Sequence, residues 1–401
     1  MKAIFKTFES GAGDCVFLVL KDEESGESYH LMVDCNVLTG EIKAFIRDDL
    51  QKRIDTIIVT HIDSDHINGI TKLLRLPEFA DLEIGQFLFN CFQPQGEELI
   101  RLSDDLRTKL DAVGNLLPPT VDSYIQKTNG MDAACLVSEL NKHPLWKAVW
   151  RKEPVLAGDV IELGDNEKWG RLSFLSPTQE SLNALFKEVK LEYARRLSAA
   201  PPNGEFEDQD KYFELMLRLS ELRNRLFLCR KTSGMSITRD VIDRFAKTDA
   251  DENTVTIANK ASLAFVWEGG NSNKRVLMLG DAVSSQILAG LRSFGAESLC
   301  FEAIKVSHHG SKNNTSTALM GIVNSAHYFI TGGKEGEGPH LETVAKIALG
   351  ALPEGVEKRE LHYNHSKGVS LWENLKSVQA KQILDQLSIT LTTDNTYEFE
   401  Y

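Results

Sequence analysis

The segment Thr60-His61-Ile62-Asp63-Ser64-Asp65-His66 carries two histidines and two aspartates within six positions. Its first residue, Thr60, ends a run over residues 54–60 that is rich in β-branched side chains and predicts a buried strand, and His61 follows directly. A strand end fixes the backbone of the loop behind it, so that several side chains can turn toward one point. Imidazole nitrogens and carboxylate oxygens both bind Zn²⁺ and Mn²⁺. We therefore expect His61 and Asp63 to serve one metal ion, and Asp65 and His66 to serve a second.

A helix N-cap is the alternative interpretation of Asp65, because aspartate often caps the first turn of a helix. Capping needs only one such side chain, and it does not account for two histidines and two aspartates together. The metal site is the interpretation that explains all four residues.

A second motif is Gly280-Asp281, which follows a strand-like run at residues 275–279. An aspartate at this position is either a metal ligand or the N-cap of the next helix. The position of Asp281 in the series of motifs along the chain favours its interpretation as a metal ligand.

A third motif, Ser307-His308-His309-Gly310-Ser311, follows a strand-like run at residues 304–306. On an extended chain, adjacent side chains point in opposite directions. One histidine is therefore expected to bind a metal while the other handles a proton. A pair of surface histidines is the alternative interpretation.

The last candidate is His340, in Gly338-Pro339-His340, which follows a strand predicted at residues 328–331. A lone histidine is usually structural or solvated, so His340 alone is a weak indication of function. Structural or solvated roles are predicted for His30, His143, His327, His362 and His365.

The composition is that of a globular protein, with 42% hydrophobic and 26% charged residues in a chain of 401. The net charge of −13 counts against a long, non-specific nucleic-acid groove. Six dispersed cysteines form no C-x-x-C pair, which suggests reduced thiols in a cytoplasmic protein. There is no visible secretory signal and no apolar run of about eighteen residues, so we expect no membrane span.

Strand signals occur toward both ends of the chain, with helical spacing between them. This distribution predicts one α/β domain over residues 1–401, with two sheets covered by helices. Two mainly helical segments, at about 92–150 and about 180–252, are expected to be insertions beside the sheets. The second contains helices predicted at residues 182–198 and 212–231.

The order of these motifs resembles the metallo-β-lactamase superfamily, and it is closest to the metallo-hydrolase domain of ComEC-type DNA-uptake proteins and their stand-alone relatives. The shared series is strand–H-x-D-x-D-H, G-D, H-H-G-S and a glycine-rich turn that ends in histidine. It covers residues 1–92, about 155–178 and about 255–375. Supporting pieces are Gly13-Asp14, Val33-Asp34 and Asn259-Lys260-Ala261-Ser262-Leu263. The resemblance implies an αββα metallo-β-lactamase sandwich with helical insertions.

The chain departs from the usual pattern of that fold at three places. Most members have H-x-H-x-D-H, whereas Asp63 replaces the second histidine here, as it does in ComEC-like members. No third-motif histidine is recognisable before Asp281, and Asn68-Gly69 stands where Gly-Gly is usual.

The resemblance also implies a site chemistry: one to two divalent ions, Zn²⁺ or Mn²⁺, with a metal-bound hydroxide as the nucleophile. The implied metal ligands are His61, Asp63, Asp65, His66, Asp281 and His309. Asp281 would bridge the ions, and the carboxylate-rich shell favours Mn²⁺. Catalytic roles fall to Asp65 and to His308 and His340, which would protonate the leaving group or bind the phosphate.

Three functions remain open. The first is a metal-dependent phosphodiesterase or nuclease, acting on a phosphodiester substrate such as DNA or RNA; Asp63 and His309-Gly310-Ser311 favour it. The second is a hydrolase of another ester, lactone, thioester or amide on the same fold. The third is a non-catalytic protein of a multi-protein system, with the helical insertions as the surface for a protein partner. The full ligand series argues against the third. Basic residues in 217–231 weakly support nucleic acid, although a solvated helix face explains them equally well.

Overall fold

A computed structural model of the chain describes residues 1–92, 130–198, 237–295, 298–333, 338–364 and 370–401. A six-stranded sheet, sheet one, has the order β14-β1-β2-β3-β4-β5. Its strands are β1 (Lys2–Thr7), β2 (Val16–Lys21), β3 (Ser28–Val33), β4 (Arg53–Val59), β5 (Glu83–Phe89) and β14 (Thr396–Glu400). The first three and β14 pair antiparallel, whereas β3, β4 and β5 are parallel.

An eight-stranded sheet, sheet two, has the order β13-β12-β11-β10-β9-β8-β7-β6. Its strands are β6 (Val160–Glu162), β7 (Arg171–Ser176), β8 (Ala264–Glu268), β9 (Arg275–Met278), β10 (Leu299–Lys305), β11 (Val323–Ile330), β12 (Arg359–Tyr363) and β13 (Ile389–Thr392). Strands β9 to β13 run parallel, and β6 to β9 pair antiparallel.

Helices occupy the connections between the strands. They are α1 (Gly40–Ala44), α2 (Ser64–Arg75), α3 (Gly130–Lys142), α4 (Pro144–Val149), α5 (Asn166–Trp169), α6 (Gln179–Ser198), α7 (Arg239–Ala246), α8 (Ile257–Lys260), α9 (Ser284–Leu291), α10 (Thr317–Ile322), α11 (Leu341–Leu349), α12 (Ser370–Leu375) and α13 (Val378–Gln386). Among the described residues, no helix combines the length and apolar character that crossing a membrane requires.

Three apolar cores divide the molecule into layers. The central core joins the inner faces of the two sheets, as alternation along β2 shows: Val16, Leu18 and Leu20 face this core. Phe17 and Val19 point the other way, into a core shared with helices α1, α2, α3 and α6. A third core lies between sheet two and helices such as α9 and α11. The layers are therefore helix, sheet, sheet and helix, and the predicted α/β sandwich is confirmed.

The structure differs from the sequence-based elements in several details. The spacing of apolar residues over 41–51 predicts a helix, and the structure has α1 there, followed by a π-helical turn, Phe45–Asp49. Residues 387–399 alternate in a strand-like way, and the structure divides this stretch between β13 and β14, which belong to different sheets. Strands β5 and β12 were not predicted. The helix predicted at 212–231 lies outside the described residues, and the interpretation of 92–150 and 180–252 as insertions stays a prediction.

One edge of the sandwich collects the carboxyl ends of parallel strands from both sheets. In sheet one these are the ends of β3 and β4, and in sheet two the ends of β9, β10 and β11. Loops that leave such ends converge, which makes this edge the expected position for a site.

Candidate metal centre

The loop after β4 is held in place by Asp34, the residue that follows β3. The Asp34 carboxylate accepts hydrogen bonds from the Thr60 backbone N–H and hydroxyl, both at 2.7 Å. It also accepts a hydrogen bond of 2.7 Å from Nδ1 of His66. A histidine that donates through Nδ1 keeps the lone pair of Nε2 for a metal. Asp34 therefore fixes the loop and orients the His66 ring.

His61, His66 and Asp281 form the first group of donors, and all three are buried. Asp281 Oδ2 lies 3.8 Å from His61 Nε2 and 3.4 Å from His66 Nε2. Within the described chain, His61 Nε2, His66 Nε2 and Asp281 Oδ1 are buried atoms with no hydrogen-bond partner. Orphaned buried polar atoms are costly unless a ligand satisfies them. The two orphaned nitrogens converge on the Asp281 carboxylate, and this arrangement fits a divalent metal ion.

Asp65, His66 and His309 form a second group, which shares His66 with the first. His309 Nε2 lies 3.3 Å from Asp65 Oδ2, and His66 Nε2 lies 4.0 Å from the same oxygen. His309 Nδ1 donates to the Thr331 carbonyl at 2.8 Å, which again leaves Nε2 facing the group. The two groups offer donors of the type that zinc and manganese bind.

The expected extended conformation of His308 and His309 is wrong. Both residues adopt left-handed backbone angles, with φ of 46° and 52°, in a tight turn after β10. Gly310 continues the turn with φ of 80°, a conformation that glycine adopts without strain. The turn still separates the two side chains: His308 Nε2 lies 3.7 Å from Asp281 Oδ2, whereas His309 faces Asp65.

His308 lies at the more open side of the site, with 26% of its side chain exposed. Its Nδ1 lies 2.8 Å from Asn314 Oδ1, and Asn259 Nδ2 lies 3.3 Å from the ring nitrogens. Asn314 holds the ring so that Nε2 points toward Asp281. A partly exposed imidazole next to a buried donor group can exchange a proton with solvent.

Asp63 lies at the rim of the first group, with Oδ2 3.6 Å from His61 Nε2. It occupies the N-cap position of α2, but its side chain makes no capping hydrogen bond. Asp65 lies inside the first turn of that helix, so the N-cap interpretation of Asp65 does not match its position.

His340 is not part of either donor group. It stands at the N-terminus of α11, and its Nδ1 accepts a hydrogen bond of 3.4 Å from the Lys312 backbone N–H. Burial lowers the pKa of His340, and the nearby Glu342 carboxylate opposes that shift. The structure thus brings five of the predicted ligands together, leaves Asp63 at the rim and sets His340 apart.

Sequence reasoning gave no role to Asp14 and Lys305, which form a buried ion pair beneath the donors. Asp14 Oδ1 lies 3.2 Å from His309 Nδ1. Lys305 donates to the Gly280 carbonyl at 3.0 Å, and its ammonium lies 3.8 Å from Asp281 Oδ1. A lysine at the end of an apolar strand, such as β10, is the signal that could have identified this pair.

The electrostatics of the site are dominated by carboxylates. Burial alone would raise the pKa of Asp14, but the Lys305 and His309 charges hold it well below its usual range. Burial favours a neutral His309, yet Asp14 and Asp281 raise its pKa to about 10. The pKa of His66 is likewise raised, against burial, by Asp281 and Asp34. The site therefore attracts positive charge, which protons or metal ions can supply.

Residues 11–89 match the family model described as the metallo-beta-lactamase superfamily. The matched range includes Asp14, Asp34 and the motif from His61 to His66, and it ends with β5. No curated protein matches the chain. The family match and the buried donor groups together indicate a metal-dependent hydrolase in general terms.

Proposed function

We propose that the protein is a metal-dependent phosphodiesterase, with single-stranded or otherwise accessible DNA or RNA as the favoured substrate class. The observation that carries the proposal is that His61 Nε2 and His66 Nε2, two buried atoms with no hydrogen-bond partner, converge on Oδ2 of the buried Asp281 carboxylate. A group of this composition is costly to bury unless a cation occupies it.

In this proposal, His61, His66 and Asp281 would hold one ion. Asp65 and His309 would hold a second ion, together with either His66 or Asp281. Asp63 completes the shell from the rim. When bound, a divalent ion lowers the pKa of water toward neutrality and offsets charge on a phosphoryl oxygen. The carboxylate share of the shell favours Mn²⁺, and the imidazoles are equally suited to Zn²⁺.

The remaining residues orient and protect this centre. Asp34 accepts a hydrogen bond from Nδ1 of His66, and Asp14 lies close to Nδ1 of His309. These contacts keep the Nε2 atoms of both histidines directed inward. Lys305 balances the charge of Asp14 and Asp281. His308 is placed to deliver a proton to the leaving group, because its exposed edge can be reprotonated from solvent.

His340 has a more peripheral role in the proposal. Burial lowers its pKa, so the ring is neutral near pH 7 and can donate a hydrogen bond to a substrate phosphate. Its position at the start of α11 places it beside the turn that carries His308, through the backbone bond from His340 N–H to the Gly310 carbonyl.

The choice of a phosphodiester over other substrates rests on the aspartate at position 63 and on the ComEC-type order of the motifs. The net charge of −13 favours short or single-stranded segments over a long duplex groove. A cytoplasmic location is part of the proposal, because the five cysteines within the described ranges are free thiols.

The deciding experiment assays the purified protein with Mn²⁺ and with Zn²⁺ against three substrates: bis-p-nitrophenyl phosphate, single-stranded DNA and nitrocefin. We expect hydrolysis of the first two, with loss of activity on chelation and recovery on adding metal. Turnover of nitrocefin alone would move the assignment to ester or amide hydrolysis on the same fold. Metal uptake without any hydrolysis would favour a non-catalytic protein of a multi-protein system.

A further inference from the structure

A second cluster of metal-binding side chains lies on β11 and β12, and it shares no residue with the centre described above. It consists of His327, Glu360 and His362. His327 pairs with Glu360 in the parallel register of these strands, and His362 is two positions further along β12. Residues two apart on a strand project to the same face, so the three side chains meet on one side of the sheet.

The donor atoms of this cluster form a nearly equilateral triangle. His327 Nδ1 lies 3.1 Å from His362 Nε2, and Glu360 Oε2 lies 3.4 Å from each of these nitrogens. Zinc–nitrogen and zinc–oxygen bonds of about 2.0–2.1 Å in a tetrahedron place neighbouring donors about 3.3 Å apart. The triangle therefore has the dimensions of one face of a tetrahedral zinc site.

Both imidazole rings are held in fixed orientations. His362 Nδ1 donates to the Asp394 carbonyl at 2.9 Å, which leaves the Nε2 lone pair facing the triangle. A backbone carbonyl in this position is the usual outer partner of a histidine ligand. The His362 ring stacks on Phe329 with centroids 4.1 Å apart, and the His327 ring stacks on Tyr397 at 3.7 Å.

The cluster is accessible on one side and buried on the other. The His362 side chain is 4% exposed, whereas Glu360 is 44% exposed, which provides a path for an ion to enter. Burial lowers the pKa of both histidines, so neutral rings are present near pH 7. A hydrogen bond from His327 to His362 is the arrangement that competes with a bound ion.

We propose that His327, Glu360 and His362 bind a divalent transition-metal ion of the zinc type, as a structural site separate from the catalytic centre. The site lies where the chain crosses from sheet two to sheet one, because Asp394 is in the connection from β13 to β14. The ion stabilises this crossing by holding β11 and β12 against the connection. Two imidazoles and one carboxylate are a donor set that zinc favours.

The test counts zinc ions in variants that separate the two sites. The double variant Asp65→Ala/Asp281→Ala removes carboxylates of the catalytic centre, and we expect it to retain one tightly bound Zn²⁺ per chain. Adding Glu360→Gln or His327→Ala to it should weaken that binding by more than about tenfold. His30→Gln is the matched control, since His30 also lies on a strand and bonds to a backbone carbonyl.

Wild-type protein provides a second measurement that does not depend on the folding of the double variant. Glu360→Gln alone, at a half-exposed position, should bind one Zn²⁺ fewer than wild type and show a smaller rise in melting temperature with zinc. Co²⁺ should give the visible absorption of a tetrahedral site in the double variant. Equal zinc stoichiometry in wild type and Glu360→Gln would overturn the proposal in favour of the histidine–histidine hydrogen bond, and it would leave the catalytic assignment unaffected.

Discussion

Individual carboxylates occupy two distinct kinds of position at the candidate metal centre. Asp65 and Asp281 face the Nε2 atoms of the histidines, where a metal would bind. Asp34 and Asp14 face the Nδ1 atoms of His66 and His309 instead. In the proposed site, loss of Asp65 or Asp281 would remove a metal ligand. Loss of Asp34 or Asp14 would instead leave the histidine ligand in place but remove the contact that orients its ring.

We expect Asp65→Ala and Asp281→Ala each to lower phosphodiester hydrolysis by more than about 100-fold, a loss greater than that typical of an outer-shell residue. Both residues lie past strand ends, so the apolar cores stay intact. Asp48→Ala, at an exposed aspartate paired with Arg47, is the control and should keep full activity. Melting temperature, measured with and without metal, distinguishes site damage from unfolding. Full activity in both variants would show that the active site lies elsewhere.

His308 and His309 should differ in the way their loss affects the protein. His309→Ala removes a ligand, and metal content should fall together with turnover. His308→Ala removes a proton donor, so turnover should fall by about 100-fold, within the range usual for general acids, while metal content is unchanged. Elemental analysis beside steady-state kinetics makes the comparison. The opposite pattern of metal content would reverse the two assignments.

Metal binding should release protons, because the metal-free site holds them. The pKa of His309 is raised to about 10, despite burial, by Asp14 and Asp281, and that of His66 is raised as well. Because these pKa values are raised, the bound protons stabilise the folded, metal-free protein, and they do so fully below about pH 6.5, the pKa of histidine in an unfolded chain. This contribution to stability is lost as the pH rises through about 10. Histidine ligands must be deprotonated to bind a metal, so metal affinity should increase from about pH 6 to about pH 8. Calorimetry in buffers of different ionisation enthalpy measures the protons, and pH-independent affinity without proton release would contradict the expectation.

At the scale of the elements, strands with regular patterns were predictable from the sequence and irregular ones were not. The β-branched run of β4 predicted the strand, and the motif behind it predicted a candidate site whose donor side chains lie close together. In β5, Gly85 interrupts the pattern; a Cβ there would lie 2.6 Å from the Asp55 carbonyl oxygen of the neighbouring strand. In β12 the adjacent charged residues Arg359 and Glu360 interrupt the apolar pattern that would predict a strand. Arg359 is nevertheless buried, because it donates hydrogen bonds to the carbonyls of Gly350 and Ala351.

The loop before β2 packs against the start of α2 so closely that Gly13 has no room for a side chain. A Cβ on Gly13 would lie 1.8 Å from the Asp65 carbonyl oxygen. Gly13→Ala should therefore displace Asp65, lower metal affinity and cost about 1–3 kcal/mol of stability, as overpacking does. Gly40→Ala, where a Cβ meets nothing within 4 Å, is the matched control. Chemical denaturation and metal titration provide the measurements, and unchanged values for Gly13→Ala would show that the loop yields without moving Asp65.

At the scale of the whole molecule, the donor groups of the candidate metal centre come from both sheets. His61 lies in the loop after β4 of sheet one and His66 in the helix α2 that follows it, whereas Asp281 and His309 lie in the turns after β9 and β10 of sheet two. The individual motifs were predictable because each follows a strand-like run. The contacts of Asp14 were not, since they depend on how one sheet faces the other, which no local pattern encodes.

Asp14 accepts a hydrogen bond from the Thr331 hydroxyl and pairs with Lys305, and these partners are separated from it by most of the chain. Contacts of such high sequence separation form late in folding, because the loop-closure entropy must be overcome first. During refolding from denaturant, we expect far-ultraviolet circular dichroism to recover before metal binding and activity. Simultaneous recovery of all three signals would instead indicate that the two halves assemble in a single cooperative step.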